Sequence, residues 1–410
     1  MRQWIETSDN PHFRPKVMII GSEDVHARID LMHGLAREYD VAAAGTNPRL
    51  ASIFADHGFR YFHYPLTRGL GPCSDVVAFA ALCRLLSDFR PDIVHAFDTK
   101  PGVYGCLAAR LVGVPVVVGT VTGLGSLYAD DDSSPIVRGV YERLQRLTSQ
   151  YADLTIFQNR RDREEFVARR VVPANKAALI PGSGVATDLL DPAKFSDADR
   201  EEVRASLGIP ADALLVTMVA RVIRSKGVEE FVAAAQMVRQ SLPGVQFLLV
   251  GAADKDSVDS FDAHELAEIG RAVIWPGPRR DIPQVLAASD LFVLPSYLRE
   301  GIPRVLLEAA SMGLPLVTTD SPGCSDVVEN GVNGILTPPR DRAALSQAIL
   351  DLLGRPDVRQ RFGQESRQRA VERFDLSVVV DETRRHYREL LERKTRRAGR
   401  NAARSMPVSV

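Results

Sequence analysis

The 410-residue chain contains no apolar run of the ~18 residues that a membrane-crossing helix needs. Its first stretch, MRQWIETSDNPHFRPK, has no apolar core and does not read as a secretory signal. The four cysteines, Cys73, Cys83, Cys106 and Cys324, form no CxxC pair, and no His/Cys cluster has zinc spacing. That excludes zinc-finger and disulfide-framework classes and fits a reducing compartment, with thiols used as small apolar side chains. Charge is balanced at −1, so a global electrostatic case for nucleic-acid binding fails. Nor is there an acidic metal cage. The run Asp130, Asp131, Asp132 precedes Ser-Ser-Pro and reads as a solvated loop, because Mg²⁺ needs a geometry that a run does not supply. The expected location is the cytosol or the surface of the cytoplasmic membrane.

What is present is an ordinary globular balance, 45% hydrophobic and 25% charged, at a length suited to two α/β domains. Short apolar runs alternate with helical patterns. KVMIIG (16–21), YDVAAAGT (39–46), DIVHAF (92–97), VPVVVGTV (114–121) and DLTIFQN (153–159) read as strands, with helices over 74–89, 101–112 and 135–150. The runs are continuous, as when helices cover both faces of a parallel sheet. The rhythm pauses over 183–205 and restarts with LLVTMVA (214–220), VQFLLVG (245–251), AVIWPG (272–277), LFVLPS (291–296) and PLVTTD (315–320). Helices are expected over 227–240, 282–289, 301–312, 341–353 and 356–396. Two βαβ series predict two Rossmann-like, doubly wound domains facing across a cleft. The expected boundaries are 1–190, 191–375, and a C-terminal helix with a basic tail over 376–410.

The segment PSYLREGIPRVLLEAASMG (295–313) is the richest in chemistry. Glu300 and Gly301 follow a strand, and a helix is expected to open at Gly301–Ile302–Pro303, since proline is tolerated in a first turn. Open backbone N–H groups there suit an anionic phosphate. Glu308 lies two helical turns further on if the helix already begins at Glu300. Carboxylates accept hydrogen bonds from paired hydroxyls, so both suit sugars; the competing reading is one capping and one solvated glutamate. In VARVIRSKGVEE (219–230), Arg221 and Lys226 lie between a strand and a helix, where open α/β sheets bind ligands. Two cations there can hold a diphosphate and stabilise it as it leaves. Arg224 reads as an exposed surface charge.

In the N-terminal half, Gly21, Gly123 and Gly125 stand where backbone must turn tightly or approach a ligand. His95 reads as a packed core residue, and Lys100, in the following loop, as a ligand candidate.

Taken together, these segments resemble the family 4 glycosyltransferases, which share the GT-B fold. Glu300 to Glu308 matches that family's E-x7-E motif, and Arg221 and Lys226 match its basic pair. PGCSDVVENGVNGILTPPRD (322–341) is also typical of its donor domain. YPLTRG, RPDIVHAFDTKPGVYGCLAARLVGVPVVVGTVTGLGSLY and LIPGSGV resemble a bacterial subgroup that extends lipid-linked oligosaccharides for surface polysaccharide or protein glycosylation. The nearest in style add an N-acetylhexosamine to an undecaprenyl-diphosphate sugar.

The resemblance implies a retaining enzyme using a nucleotide-sugar donor, a lipid-linked or glycan acceptor, and no metal or other cofactor. It implies that Arg221 and Lys226 bind the donor diphosphate, Glu308 the ribose hydroxyls and Glu300 the donor sugar. Gly301, Ile302 and Pro303 would lie near the phosphates or sugar, and Gly21 would let the acceptor approach. Lys100, Thr122 and Gly123 complete the acceptor set. Two departures stand out. Thr122 occupies the place where many members carry a histidine, and the usual Gly-Val-Asp is Gly184-Val185-Ala186, with Asp188 two residues on.

Three rivals compete. A nucleotide-sugar epimerase of the same fold needs acid/base residues that the sequence does not display. A catalytically silent partner subunit is expected to lose the basic pair or Glu300. A periplasmic sugar-binding protein needs a signal. Peripheral attachment to anionic lipid is expected through 138–151, with Arg138, Arg143 and Arg146, and through the basic tail Arg393–Arg404.

Overall fold

A computed structural model describes residues 14–67, 71–125, 128 and 135–404, with the side chains of 72 and 398–404 excepted. The Asp130–Asp132 run and the far end of the basic tail therefore lie outside the described residues. The chain divides into two compact units, one of Met1–Leu124, Asp132–Ile180 and Val379–Val410, the other of Gly125–Asp131 and Pro181–Val378. The main crossings thus fall at 180/181 and 378/379, where the sequence suggested 190/191 and 375/376, and the C-terminal helix joins the first unit from Val379.

Among the described residues the first unit has a seven-stranded parallel sheet: β1 (Lys16–Ile20), β2 (Asp40–Gly45), β3 (Arg60–His63), β4 (Ile93–Phe97), β5 (Val116–Val121), β6 (Leu154–Phe157) and β7 (Ala177–Leu179). Their order is β3-β2-β1-β4-β5-β6-β7, so the direction of winding reverses between β1 and β4. The second unit has six: β8 (Leu215–Val219), β9 (Gln246–Val250), β10 (Ile274–Gly277), β11 (Leu291–Leu294), β12 (Leu316–Thr319) and β13 (Gly334–Thr337). They run β10-β9-β8-β11-β12-β13, with the reversal between β8 and β11. In such sheets ligands bind beyond the carboxyl ends of the strands at the reversal. β4, β8 and β11 are buried at every position, and apart from His95 and Thr217 their residues are apolar. Each fully buried Val, Leu or Ile there contributes ~1.5–3 kcal/mol, which makes the strand ends rigid platforms for the loops that follow.

Three strands escape the sequence pattern. β3, β7 and β13 are four residues or fewer and only part-buried, too short to stand out as apolar runs. The stretch expected as one helix over 356–396 is two helices, Pro356–Arg369 and Leu376–Arg404, separated by a π turn at Ala370–Phe374. At that break Val185 pairs with Asp375, whose carboxylate accepts from the Thr187 N–H at 3.3 Å and hydroxyl at 2.5 Å. Asp375 thus supplies a carboxylate to the segment that follows Ala186. In the first unit the last helix is fastened by Tyr387, whose hydroxyl lies 2.7 Å from His95 Nδ1.

Candidate functional site

The second sheet builds its loops by removing Cβ atoms where chains cross. A Cβ on Gly227 (φ 80°) would stand 2.2 Å from the Pro295 carbonyl oxygen, and one on Gly323 (φ 85°) 1.8 Å from that of Gly301. Any side chain at these two positions would both clash with backbone and strain it. The turn carrying Lys226 is thereby laid against the end of β11, and the loop after β12 against Gly301.

The Arg224–Lys226 turn is anchored from a second side. Ser225 N–H donates to Asp259 at 2.9 Å, and Arg224 bonds to Glu229 and, at 2.5 Å, to Glu265 while covering the Phe261 ring. Glu265 also closes the capping box of the helix Ala263–Ala272. Arg224 is therefore a part-buried clamp and not the exposed charge that the sequence suggested.

The clamp delivers Lys226 to the reversal point. The residue is 8% exposed, and its ammonium lies 2.6 Å from Glu300 Oε2. The other carboxylate oxygen of Glu300 accepts from Ser296 Oγ at 3.1 Å. Ser296, two residues beyond β11, has one hydroxyl proton to share between Glu300 and Ser225 O, 3.3 Å away, and its own carbonyl accepts from Thr319. A lysine this buried requires its partner. An ammonium has three donors, so pairing with Glu300 leaves two for a phosphate.

Arg221, expected to act with Lys226, has a different partner and a different exposure. Its side chain is 54% exposed and pairs with Asp254 at 2.7 Å. The structure therefore joins Lys226 to Glu300 and leaves Arg221 at the rim, held by a residue that the sequence reading passed over.

The helix expected at Gly301 begins later. Pro303 is an extended N-cap (φ −62°, ψ 116°) with no side-chain cap bond, and the helix runs Arg304–Ser311. The reason is packing: Ile302 is 7% exposed and seats against Gly182, where a Cβ would lie 3.3 Å from the Ile302 Cβ. Ile302 anchors the loop through its side chain, and Gly301 and Pro303 are buried with it. Glu300 and Glu308 are consequently not two turns apart on one helix. Glu308 sits within the helix and accepts from Arg304 Nε at 3.1 Å.

In the first unit, Gly21 is buried and the space for its Cβ is taken by Val25, 2.9 Å away, so packing explains this glycine. Its carbonyl accepts from the buried Tyr64 hydroxyl at 2.7 Å. Lys100 pairs with Asp75 at 2.7 Å and bonds Thr67 O at 3.2 Å. Thr122 donates to Asp98 Oδ1 at 3.1 Å, and Gly123 follows at φ 129°. His95 is 2% exposed, with Nε2 2.6 Å from Thr120 Oγ1; burial lowers its pKa to about 3. The Cys106 and Cys324 thiols are likewise pushed up to about 12 by burial, which makes them inert. Among the described residues no group of His, Cys, Asp or Glu is arranged to hold a metal ion.

Sequence families and solved structures match this architecture. Residues 199–369 match "Glycosyl transferases group 1" and residues 29–182 match "Glycosyl transferase 4-like domain". The chain is 28% identical over 363 residues to the N,N'-diacetylbacillosaminyl-diphospho-undecaprenol alpha-1,3-N-acetylgalactosaminyltransferase of Campylobacter jejuni, covering 88% of this chain and 94% of that one. It is 29% identical to an Escherichia coli UDP-Gal:alpha-D-GlcNAc-diphosphoundecaprenol alpha-1,3-galactosyltransferase, covering 83% and 87%. The fold is shared with Anabaena HepE, solved in complex with UDP, at a TM-score of 0.77 and 21% identity over 91% of this chain and all of that one.

Proposed function

The chain belongs to the glycosyltransferases, with a group 1 domain over 199–369 and a 4-like domain over 29–182, and from that premise we propose that it is a retaining enzyme that transfers a hexose or N-acetylhexosamine from a nucleoside-diphosphate donor to an undecaprenyl-diphosphate-linked acceptor in surface-glycan assembly. The observation that carries the reading is the Lys226–Glu300 pair, 2.6 Å apart beyond the carboxyl ends of β8 and β11. A buried ammonium and a carboxylate on one spot match a donor with a diphosphate at one end and sugar hydroxyls at the other.

In this reading Lys226 and Arg221 hold the diphosphate, and the backbone of Gly301–Pro303 with the N-terminus of the following helix adds partial positive charge. As the glycosidic bond breaks, charge grows on the leaving phosphate, and these groups stabilise it. The departing phosphate accepts the proton of the acceptor hydroxyl, which attacks on the same face of the sugar. Glu300 receives donor-sugar hydroxyls and Glu308 those of the ribose. No metal enters the scheme. Lys100, Thr122 and Gly123 belong to the acceptor side.

Attachment to the cytoplasmic membrane face accompanies a lipid-linked acceptor. No described helix is long and apolar enough to cross a membrane. The helix Pro135–Tyr151 exposes Ile136, Val140, Leu147 and Tyr151, whose spacing gathers them on one face. Arg146, expected to face lipid, is turned toward the carbonyls of Arg169 and Arg170 and toward Glu142. Apolar insertion thus joins the basic contribution expected from Arg138 and Arg143. Sedimentation with anionic liposomes is expected, weakened but not abolished by salt; no binding at any salt overturns the attachment.

The deciding experiment is incubation with a panel of labelled nucleotide sugars and a polyprenyl-diphosphate-linked sugar, with and without excess chelator. Transfer that survives chelation supports the reading. Transfer restored only by Mg²⁺ or Mn²⁺ overturns its metal-independence, and donor epimerisation without transfer overturns the reaction.

A further inference from the structure

The first sheet holds a carboxylate for which the scheme above has no use. Asp98 follows β4 at the reversal point, beside the end of β1. Its backbone stands at φ 67°, ψ 177°, a region essentially restricted to glycine, and such strain persists only where the surroundings enforce it. Asp98 is the N-cap of the helix Thr99–Leu111, a place where aspartate ordinarily bonds the helix's own N–H groups. Here it makes no such bond.

Its oxygens are directed elsewhere. Oδ2 accepts from Ser22 N–H at 3.2 Å, and Oδ1 from the Thr122 hydroxyl at 3.1 Å. The Ser22 hydroxyl lies 2.9 Å from Asp98 and 2.8 Å from Asp24, with one proton to share between them. Arg28, stacked over Phe97, stands 3.9 Å from Oδ1. Thr122 and Asp98 are both part-exposed.

A hydroxyl has one proton and two lone pairs. A Thr122 hydroxyl that donates to a carboxylate turns its lone pairs to whatever lies beyond it, so it accepts. We propose that Asp98 is a positioning residue for acceptor recognition: it fixes Thr122 as an acceptor of a hydrogen bond from a hydroxyl of the acceptor sugar. The strained backbone sets the carboxylate between the β1 and β5 loops, where an unstrained aspartate would cap its own helix. This assignment rests on the glycosyltransferase reading above.

Asp98→Asn tests it with almost no change of shape. The amide oxygen keeps the Ser22 N–H bond, while the amide nitrogen faces Thr122 and donates to it, which reverses the hydroxyl from acceptor to donor. The expected result is a rise of tenfold or more in acceptor KM, with UDP affinity by calorimetry unchanged. Thr122→Val is expected to match it, and Thr122→Ser, which keeps the hydroxyl, to retain wild-type acceptor KM. Melting temperature is recorded for each, and Asp98→Gly, which accepts the backbone angles without strain, supplies a folded variant lacking the carboxylate. An unchanged acceptor KM in folded Asp98→Asn or Asp98→Gly overturns the assignment, as does loss of UDP affinity in step with acceptor KM. Failure of the wild-type enzyme to transfer sugar to any polyprenyl-diphosphate or free glycan acceptor overturns the parent reading, and this one with it.

Discussion

Between β1 and β4 the first sheet brings Ser22 to Asp98, and between β8 and β11 the second brings Lys226 to Glu300. The two places are topologically alike: a loop after one strand meets a loop after its neighbour, and the polar pair closes over a reversal of winding. Their chemistry differs. The second sheet supplies a close ion pair with an ammonium 11% exposed, whereas in the first the carboxylate takes hydroxyl and backbone donors at 2.9–3.2 Å and its cation, Arg28, stands off at 3.9 Å. In the proposed scheme a single architecture thus offers charge for a diphosphate on one sheet and hydrogen-bond polarity for a neutral sugar on the other. The fold provides the position, and the side chains decide what is bound.

Removing the ammonium breaks this comparison most severely. Lys226→Ala is expected to lower turnover by ~10²–10³, the loss typical of one donor aimed at developing charge. It also leaves Glu300 without its cation, so Lys226→Met serves as a second variant that preserves the bulk of the stem. Arg221→Ala is expected to cost about tenfold less, because its guanidinium is half exposed and must leave Asp254 to reach a phosphate. Steady-state rates on purified variants decide it. Equal losses at the two positions would place Arg221 as deep in the chemistry as Lys226.

That ranking could not be drawn from the sequence, which presents Arg221 and Lys226 as equals. Strands such as β4 and β8 were legible because total burial demands mostly apolar runs, here interrupted only by His95 and Thr217. The candidates Lys226 and Glu300 were legible because a charged residue following such a run stands at the carboxyl edge. Which charges meet was not. Lys226 and Glu300 are 74 residues apart, and Ser22 and Asp98 76, so pairing depends on strand order. Asp98 lay inside the HAFDTKPG segment but was passed over in favour of His95 and Lys100; an aspartate between a buried strand and a helix was the available signal. Gly21 shows the opposite limit. A glycine after a strand looks the same whether a ligand or a neighbouring Val25 fills the space.

The two units should also part under acid. His95 in the first unit is buried and neutral, its pKa lowered to about 3 by desolvation and then by Arg28 and His386. The unfolded chain binds that proton near pH 6.5, so stability is full above this value and falls as pH drops toward the folded pKa. At about 1.4 kcal/mol per unit, roughly 2 kcal/mol is lost between pH 7 and pH 5. The second unit's histidine, His264, is 75% exposed. His386 is also lowered by burial and acts in the same sense. The informative quantity is therefore the difference between wild type and His95→Gln in urea unfolding at the two pH values. Equal pH dependence in both proteins would remove His95 as the cause.

The smallest effect expected separates the two glutamates. Glu300 touches Lys226 at the reversal point, whereas Glu308 lies within the helix Arg304–Ser311 and meets Arg304. A carboxylate on ribose hydroxyls binds substrate and transition state equally, so its loss appears in KM and not in kcat. Glu308→Ala is expected to raise donor KM about tenfold, equivalent to ~1.4 kcal/mol. Glu300→Gln keeps the shape but not the charge beside Lys226, and is expected to lower kcat with less change in KM. The Arg304–Glu308 pair is part-exposed, with Arg304 at 43%, so its own contribution to stability is below ~1 kcal/mol. Arg304→Ala therefore controls for loss of the pair without loss of the carboxylate, and near-normal KM is expected. Free UDP should bind Glu308→Ala more weakly than wild type and Glu300→Gln nearly as well. Equal UDP affinity in Glu308→Ala and wild type would remove the ribose contact and leave Glu308 as Arg304's partner alone.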